Sequence, residues 1–105
     1  MAKHLLVVLT NAAEGKDEEF NQWYNDVHLG DVLSVDGFVG AQRFALDALG
    51  GEPPHRYLAL YEIETDDIDA AVKNLGESAG SMVISDAMTD ATALVASPIT
   101  ERRTA

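Results

Sequence analysis

The chain of 105 residues predicts an α+β fold, a four-stranded antiparallel sheet with two helices on one face. Three observations carry this. Apolar, β-branched runs and amphipathic helical stretches follow one another in the order βαββαβ. Breaks rich in glycine and proline, at Asp36-Gly37 and from Gly50 to Pro54, separate them. No repeat or low-complexity tract interrupts the pattern, and the length suits one core.

His4 to Thr10 is apolar and β-branched, the first strand. Glu14 to Asp17 is a polar loop. From Asp17 to about Val32, Phe20, Trp23, Tyr24, Val27 and His28 recur at helical spacing. Asp17, Glu18 and Glu19 place negative charge in the first turn, where the helix dipole favours it. Phe20, Tyr24 and Val27 form the expected buried face, with Asn21, Gln22 and Asn25 toward solvent. Phe38 to Asp47 is the second strand, with Phe38, Phe44 and Leu46 on one face and Val39, Ala41, Arg43 and Ala45 on the other. Arg56 to Glu64 is the third. Thr65, Asp66 and Asp67 cap a second helix whose inner face is Ile68, Ala71, Val72 and Leu75, ended by Gly76 and Gly80. Ser81 to Asp90 reads as irregular, with room for one helical turn. Thr92 to Ile99 is the last strand, and Pro98 marks its end or a sheet edge.

The simplest closure of this order is the ferredoxin-like layer, with strands one and three central. Leu5 to Leu9 and Tyr57 to Tyr61 do not alternate apolar with polar, although helices cover only one face of a sheet. A second copy packing sheet on sheet would cover the other, so a homodimer is expected.

Composition narrows the partners. Eighteen acids against seven lysines and arginines give a net charge of −11, which disfavours nucleic acid and anionic membranes. Cysteine is absent, which removes disulfides, thiolate metal sites and cysteine nucleophiles and fits a reducing, cytoplasmic setting. The run Leu5 to Leu9 is too short for a signal-peptide core or a membrane span. His4, His28 and His55 show no metal-ligand spacing, so no metal or other cofactor is expected.

The segment from Phe20 to Phe38 contains Phe20, Trp23, Tyr24, His28 and then Gly37-Phe38. This F-x-x-W-Y-x-x-x-H pattern followed by G-F resembles the dimeric α+β barrel superfamily, and within it EthD-like and related branches. The resemblance covers the first helix and second strand; the rest agrees in element order. It implies a homodimer whose sheets form a barrel, with a small-molecule pocket between sheet and helices. It also implies activities from cofactor-free monooxygenation to cyclisation, dehydration and isomerisation, with haem degradation and ligand sensing elsewhere in the superfamily. Where many relatives carry proline soon after the helix histidine, Leu29-Gly30-Asp31 stands here.

His28 is the leading chemical candidate, because imidazole exchanges protons near neutrality. Tyr24 and Asp31 share its helical face, Tyr24 to polarise a carbonyl or phenolate and Asp31 to orient the ring. The alternative for His28 is a cation at a helix C-terminus. Trp23 offers a stacking surface or plain core packing. Arg43 offers paired donors to a carboxylate or enolate, or a salt bridge to one of the many acids. Tyr57 and Tyr61 share a strand face that suits a binding wall, a core or an interface. Three classes of function fit: a proton-transfer enzyme on a small aromatic or polyketide-like compound, with a cofactor-free monooxygenase as its nearest variant; a non-catalytic ligand-binding or stress-related barrel; and a self-association module.

Overall fold

The computed structural model describes residues 2–105. Four strands, β1 (Ala2–Ala12), β2 (Phe38–Ala45), β3 (Tyr57–Thr65) and β4 (Met88–Ala96), form one antiparallel sheet in the order β2-β3-β1-β4. Strands one and three are central, as the element order requires. The first helical stretch divides into α1 (Asp17–Trp23), a π-helical turn (Tyr24–His28) and α2 (Leu29–Leu33), and α3 spans Ile68–Ala79.

Side-chain alternation sends Leu6, Thr10 and Ala12 of β1 and Ala59, Tyr61 and Ile63 of β3 to one face, where all are buried. Phe20, Tyr24, Val32 and Val35 from the first helical stretch and Ala71 from α3 complete that core. Asp67 caps α3 through its carboxylate, which accepts from the Ala70 N–H at 3.1 Å. Ile68, Ala71 and Leu75 carry the contact of α3. Val72 sits on its flank and is exposed, contrary to its expected place on the inner face.

The π-helical turn was not legible as a period. The Leu29 N–H donates to the Tyr24 carbonyl, five residues back, so one residue is inserted into the α spacing. That insertion rotates Val27 outward to 39% exposure, which corrects its expected burial, and brings Val32 and Val35 to the core. With leucine and glycine in place of proline after His28, the N–H groups needed for α2 are retained and the helix runs on to Leu33.

A bulge also corrects the faces of β2. Phe38 pairs with Ile63 but Gly40 pairs with Glu62, so Val39 is the extra residue. Phe38 therefore shares the helix-covered face with Ala41, Arg43 and Ala45 instead of opposing them. A Cβ at Gly40 would meet the Glu62 carboxylate, so a larger residue there would make that side chain swing aside. Gly37 turns the chain at φ +92°, and its carbonyl accepts from the Glu64 N–H at 2.8 Å.

β4 begins four residues earlier than expected. A register shift opposite Leu9–Asn11, with Asp90 in the left-handed region at φ 51°, lets pairing continue back to Ala12 and Met88. Pro98 lacks an N–H and lies beyond the strand's end at Ala96. The residues between α3 and β4 form turns and no helix.

The opposite face of the sheet carries Leu5, Val7 and Leu9 of β1, Leu58 and Leu60 of β3, Phe44 of β2 and Leu94 of β4. Gln42, Glu62 and Thr92 lie at its margins. Leu5 and Leu94 are 37% and 53% exposed, and no helix of the chain packs on this side. No helix is long and apolar enough to cross a membrane among the described residues.

Candidate functional site

Phe20 is fully buried and anchors a cluster of rings between α1 and β3. Its ring centroid lies 5.6 Å from Tyr24, 5.3 Å from Tyr57 and 6.1 Å from Trp23. The cluster follows from sequence spacing: residues 20, 23 and 24 fall on one face of the first helical stretch, and residues 57 and 61 on one face of β3. The Tyr61 hydroxyl donates to the Tyr24 hydroxyl at 3.0 Å, in the middle of the layer. Burial pushes both phenols upward, Tyr61 the further, so both stay protonated.

His28 joins this cluster through the π-turn. Its imidazole stacks on Trp23, with centroids 4.7 Å apart and planes 23° from parallel. Tyr24 stands perpendicular to it at 4.9 Å. A five-residue separation stacks across a π-turn where an α-helix would splay the two rings apart. Trp23 is fixed in turn by its Nε1, which donates to the Val83 carbonyl at 2.9 Å. His28 Nδ1 is buried and has no hydrogen-bond partner among the described residues. Burial pushes the imidazole below its usual value, and the nearby Asp31 charge pulls weakly the other way. A helix-terminal cation would shift upward, whereas enclosure by the rings pushes His28 the other way. Asp31 influences the ring by its charge; the hydrogen bond that would orient Nδ1 is not made.

This shift has a consequence for stability. A lowered folded pKa means that the unfolded chain binds protons more readily. The contribution is complete above the unfolded value of about 6.5 and is lost as pH falls through the folded pKa. Denaturant unfolding of wild type should therefore weaken on acidification below about pH 6.5, and His28→Gln should remove that part of the slope. A wild-type stability that falls instead as pH rises through 6–8 would contradict the burial of a neutral ring.

Arg43 is the cation of the cluster. Its guanidinium carbon lies 4.4 Å from the Tyr24 ring centre, 5.4 Å from Phe20 and 5.6 Å from Tyr57. Nη1 donates to Asn25 Oδ1 at 2.8 Å and Nη2 to Asn21 Oδ1 at 2.9 Å. These two asparagines, expected simply to face solvent, hold the guanidinium in place. Their i, i+4 spacing beside the apolar stripe was the available signal. The expected salt bridge from Arg43 to a nearby acid is absent among the described residues.

Tyr57 is also more than a wall. Its hydroxyl donates to Asp17 Oδ2 at 2.5 Å, and Arg56 Nη1 pairs with the same oxygen at 2.6 Å. The Tyr57 hydrogen bond, reinforced by Arg56, holds the Asp17 carboxyl below the usual carboxylate range. Asp17, read from the sequence as a helix-dipole charge, thus ties α1 to β3. Beside these groups a shallow cleft of about 490 Å³ is lined by Asn21, Asn25, Arg43, Phe44, Ala45 and Tyr57. A larger open cleft of about 700 Å³ lies at the other side of Arg56, among Asn11, Asp17, Asp47, Pro54 and Asp90. The structure thus brings Trp23, Tyr24, His28, Arg43, Tyr57 and Tyr61 into one cluster, with Asp31 at its edge.

No protein-family model matches the chain, and no curated protein sequence matches it. Solved structures do. The haem-degrading protein MhuD from Mycobacterium tuberculosis, with two haems bound in its active site, superposes with a TM-score of 0.60 at 18% identity, covering 95% of this chain and 99% of that one. An ethyl tert-butyl ether degradation (EthD) family protein from Bacillus halodurans gives a TM-score of 0.55 at 14% identity, over 94% and 100%. An EthD-like protein from Ralstonia eutropha gives 0.55 at 17% identity, over 97% and 96%. At these identities the likeness is one of fold, and it agrees with the resemblance drawn from the Phe20–Phe38 segment: the chain has the ferredoxin-like α+β fold found in EthD-like and haem-degrading proteins.

Proposed function

We propose that this protein is a homodimeric small-molecule enzyme that catalyses proton transfer on a small aromatic or polyketide-like compound, with His28 as acid and base. The observation that carries this reading is the buried His28 Nδ1, which lacks a partner on a ring held neutral by burial. A neutral imidazole with a free nitrogen takes a proton from a carbon flanked by carbonyls; the C–H electron pair moves into the enolate, and the imidazolium then returns a proton. In this reading the Tyr24 hydroxyl, paired with Tyr61, donates to the enolate oxygen. The charge of Asp31 steadies the imidazolium. Trp23 and Tyr57 supply ring faces for binding, and Arg43 a fixed cation. The absence of cysteine agrees with a cytoplasmic setting.

Haem, which MhuD binds, does not fit the residues around His28. Trp23 lies against the imidazole face and Tyr24 stands across it, so the flat slot that a macrocycle needs is not formed. The same packing favours a second reading, a non-catalytic barrel that binds a metabolite.

The two readings separate by isotope exchange. With 1-phenylbutane-1,3-dione in D₂O, wild type should speed exchange of the methylene protons over buffer, and His28→Gln should lose that acceleration by about 10²-fold or more. Saturable binding of the diketone with no acceleration would leave the binding reading in its place.

A further inference from the structure

The chain has more than twice as many acids as bases, yet no carboxylate among the described residues pairs with Arg43. The guanidinium is half-buried over three aromatic rings, and burial alone disfavours its charge. Its fixed partners are the neutral carbonyl oxygens of Asn21 and Asn25, which set its plane without cancelling its charge. Nε is buried and without a partner, and each Nη retains a second N–H. The same three residues line the cleft with Phe44, Ala45 and Tyr57. The hydroxyl of Tyr57 is already committed to Asp17, so it offers the cleft a ring.

We propose that this cleft is an anion subsite, in which Arg43, positioned by Asn21 and Asn25, receives the carboxylate of a planar aromatic acid whose ring lies against Tyr57. An uncompensated, pre-oriented guanidinium supplies charge-assisted donors at little further ordering. This deepens the function proposed above by giving its substrate a carboxylate, while the binding itself requires nothing of His28.

Calorimetry at 0.15 M salt, where charges beyond about 8 Å are screened, tests it with 2-naphthoate and its neutral counterpart 2-naphthamide. Wild type should bind the acid at least about tenfold more tightly than the amide, and Arg43→Gln should abolish the preference. Asn25→Asp keeps the hydrogen bond to Arg43 but supplies an internal counter-charge. It should weaken naphthoate binding about tenfold with no fall in melting temperature, which a purely structural asparagine would not do. If Arg43→Gln fails to fold, the wild-type Arg43 Nε–H resonance still reports, since it should shift on addition of naphthoate. Equal affinity for acid and amide, an unmoved Nε–H, or unchanged naphthoate binding by Asn25→Asp would overturn the proposal. Naphthoate binding that survives in His28→Gln while diketone exchange is lost would uphold both readings. Lost exchange without naphthoate binding would sink this one alone.

Discussion

Phe20→Ala should destabilise the protein by about 3–5 kcal/mol in denaturant unfolding. Phe20 is wholly inaccessible to solvent, and its ring is packed by Trp23, Tyr24, Tyr57 and the Arg43 guanidinium together. Truncation removes the buried ring and leaves a cavity bordered by other rings, which are stiff and collapse poorly. It also strips one aromatic face from a half-buried cation. A loss below about 1 kcal/mol would mean that the cluster is not the core of the molecule.

Val7→Asp should break the homodimer that we propose. Val7 lies on the helix-free face, between Leu60 on one side and Leu94 on the other. An apolar face of this kind is covered in a stable protein, and a two-fold partner presenting the same face would cover it. An interface above roughly 1,000 Å² in total is expected. Within one chain the new carboxylate would face water, so the fold should persist, whereas in the dimer two unpaired charges would be buried. The dissociation constant should rise by about 10²–10³-fold, read by light scattering against concentration. A wild type that stays monomeric at micromolar concentration would contradict the dimer.

Much of the architecture was legible because it rests on local chemistry. The apolar runs of β1 and β3, the Asp36-Gly37 turn and the Asp67 cap depend on neighbours a few residues apart, and each appears as read. What escaped were single-residue insertions. The π-turn at Tyr24–His28 and the bulge at Val39 each add one residue to a period. The energy that selects them lies in packing against the sheet, which is not a local preference. For the site, residue types were informative and partners were not. Trp23, Tyr24, His28, Arg43, Tyr57 and Tyr61 could be named from motif and face. That Arg43 would choose Asn21 and Asn25 over the abundant acids, and that Asp17 would hold Tyr57 across forty residues, depends on which elements the topology brings together.

The central claim is that His28 is a neutral, unpartnered base within the ring cluster. NMR titration of its imidazole tests this most directly, in wild type with and without 1-phenylbutane-1,3-dione. A pKa below the ordinary value of about 6.5, together with ring resonances that shift on addition of the diketone, is the predicted result. An imidazole titrating above 6.5 and indifferent to the diketone would contradict it, and His28 would then be a helix-terminal cation with no part in chemistry.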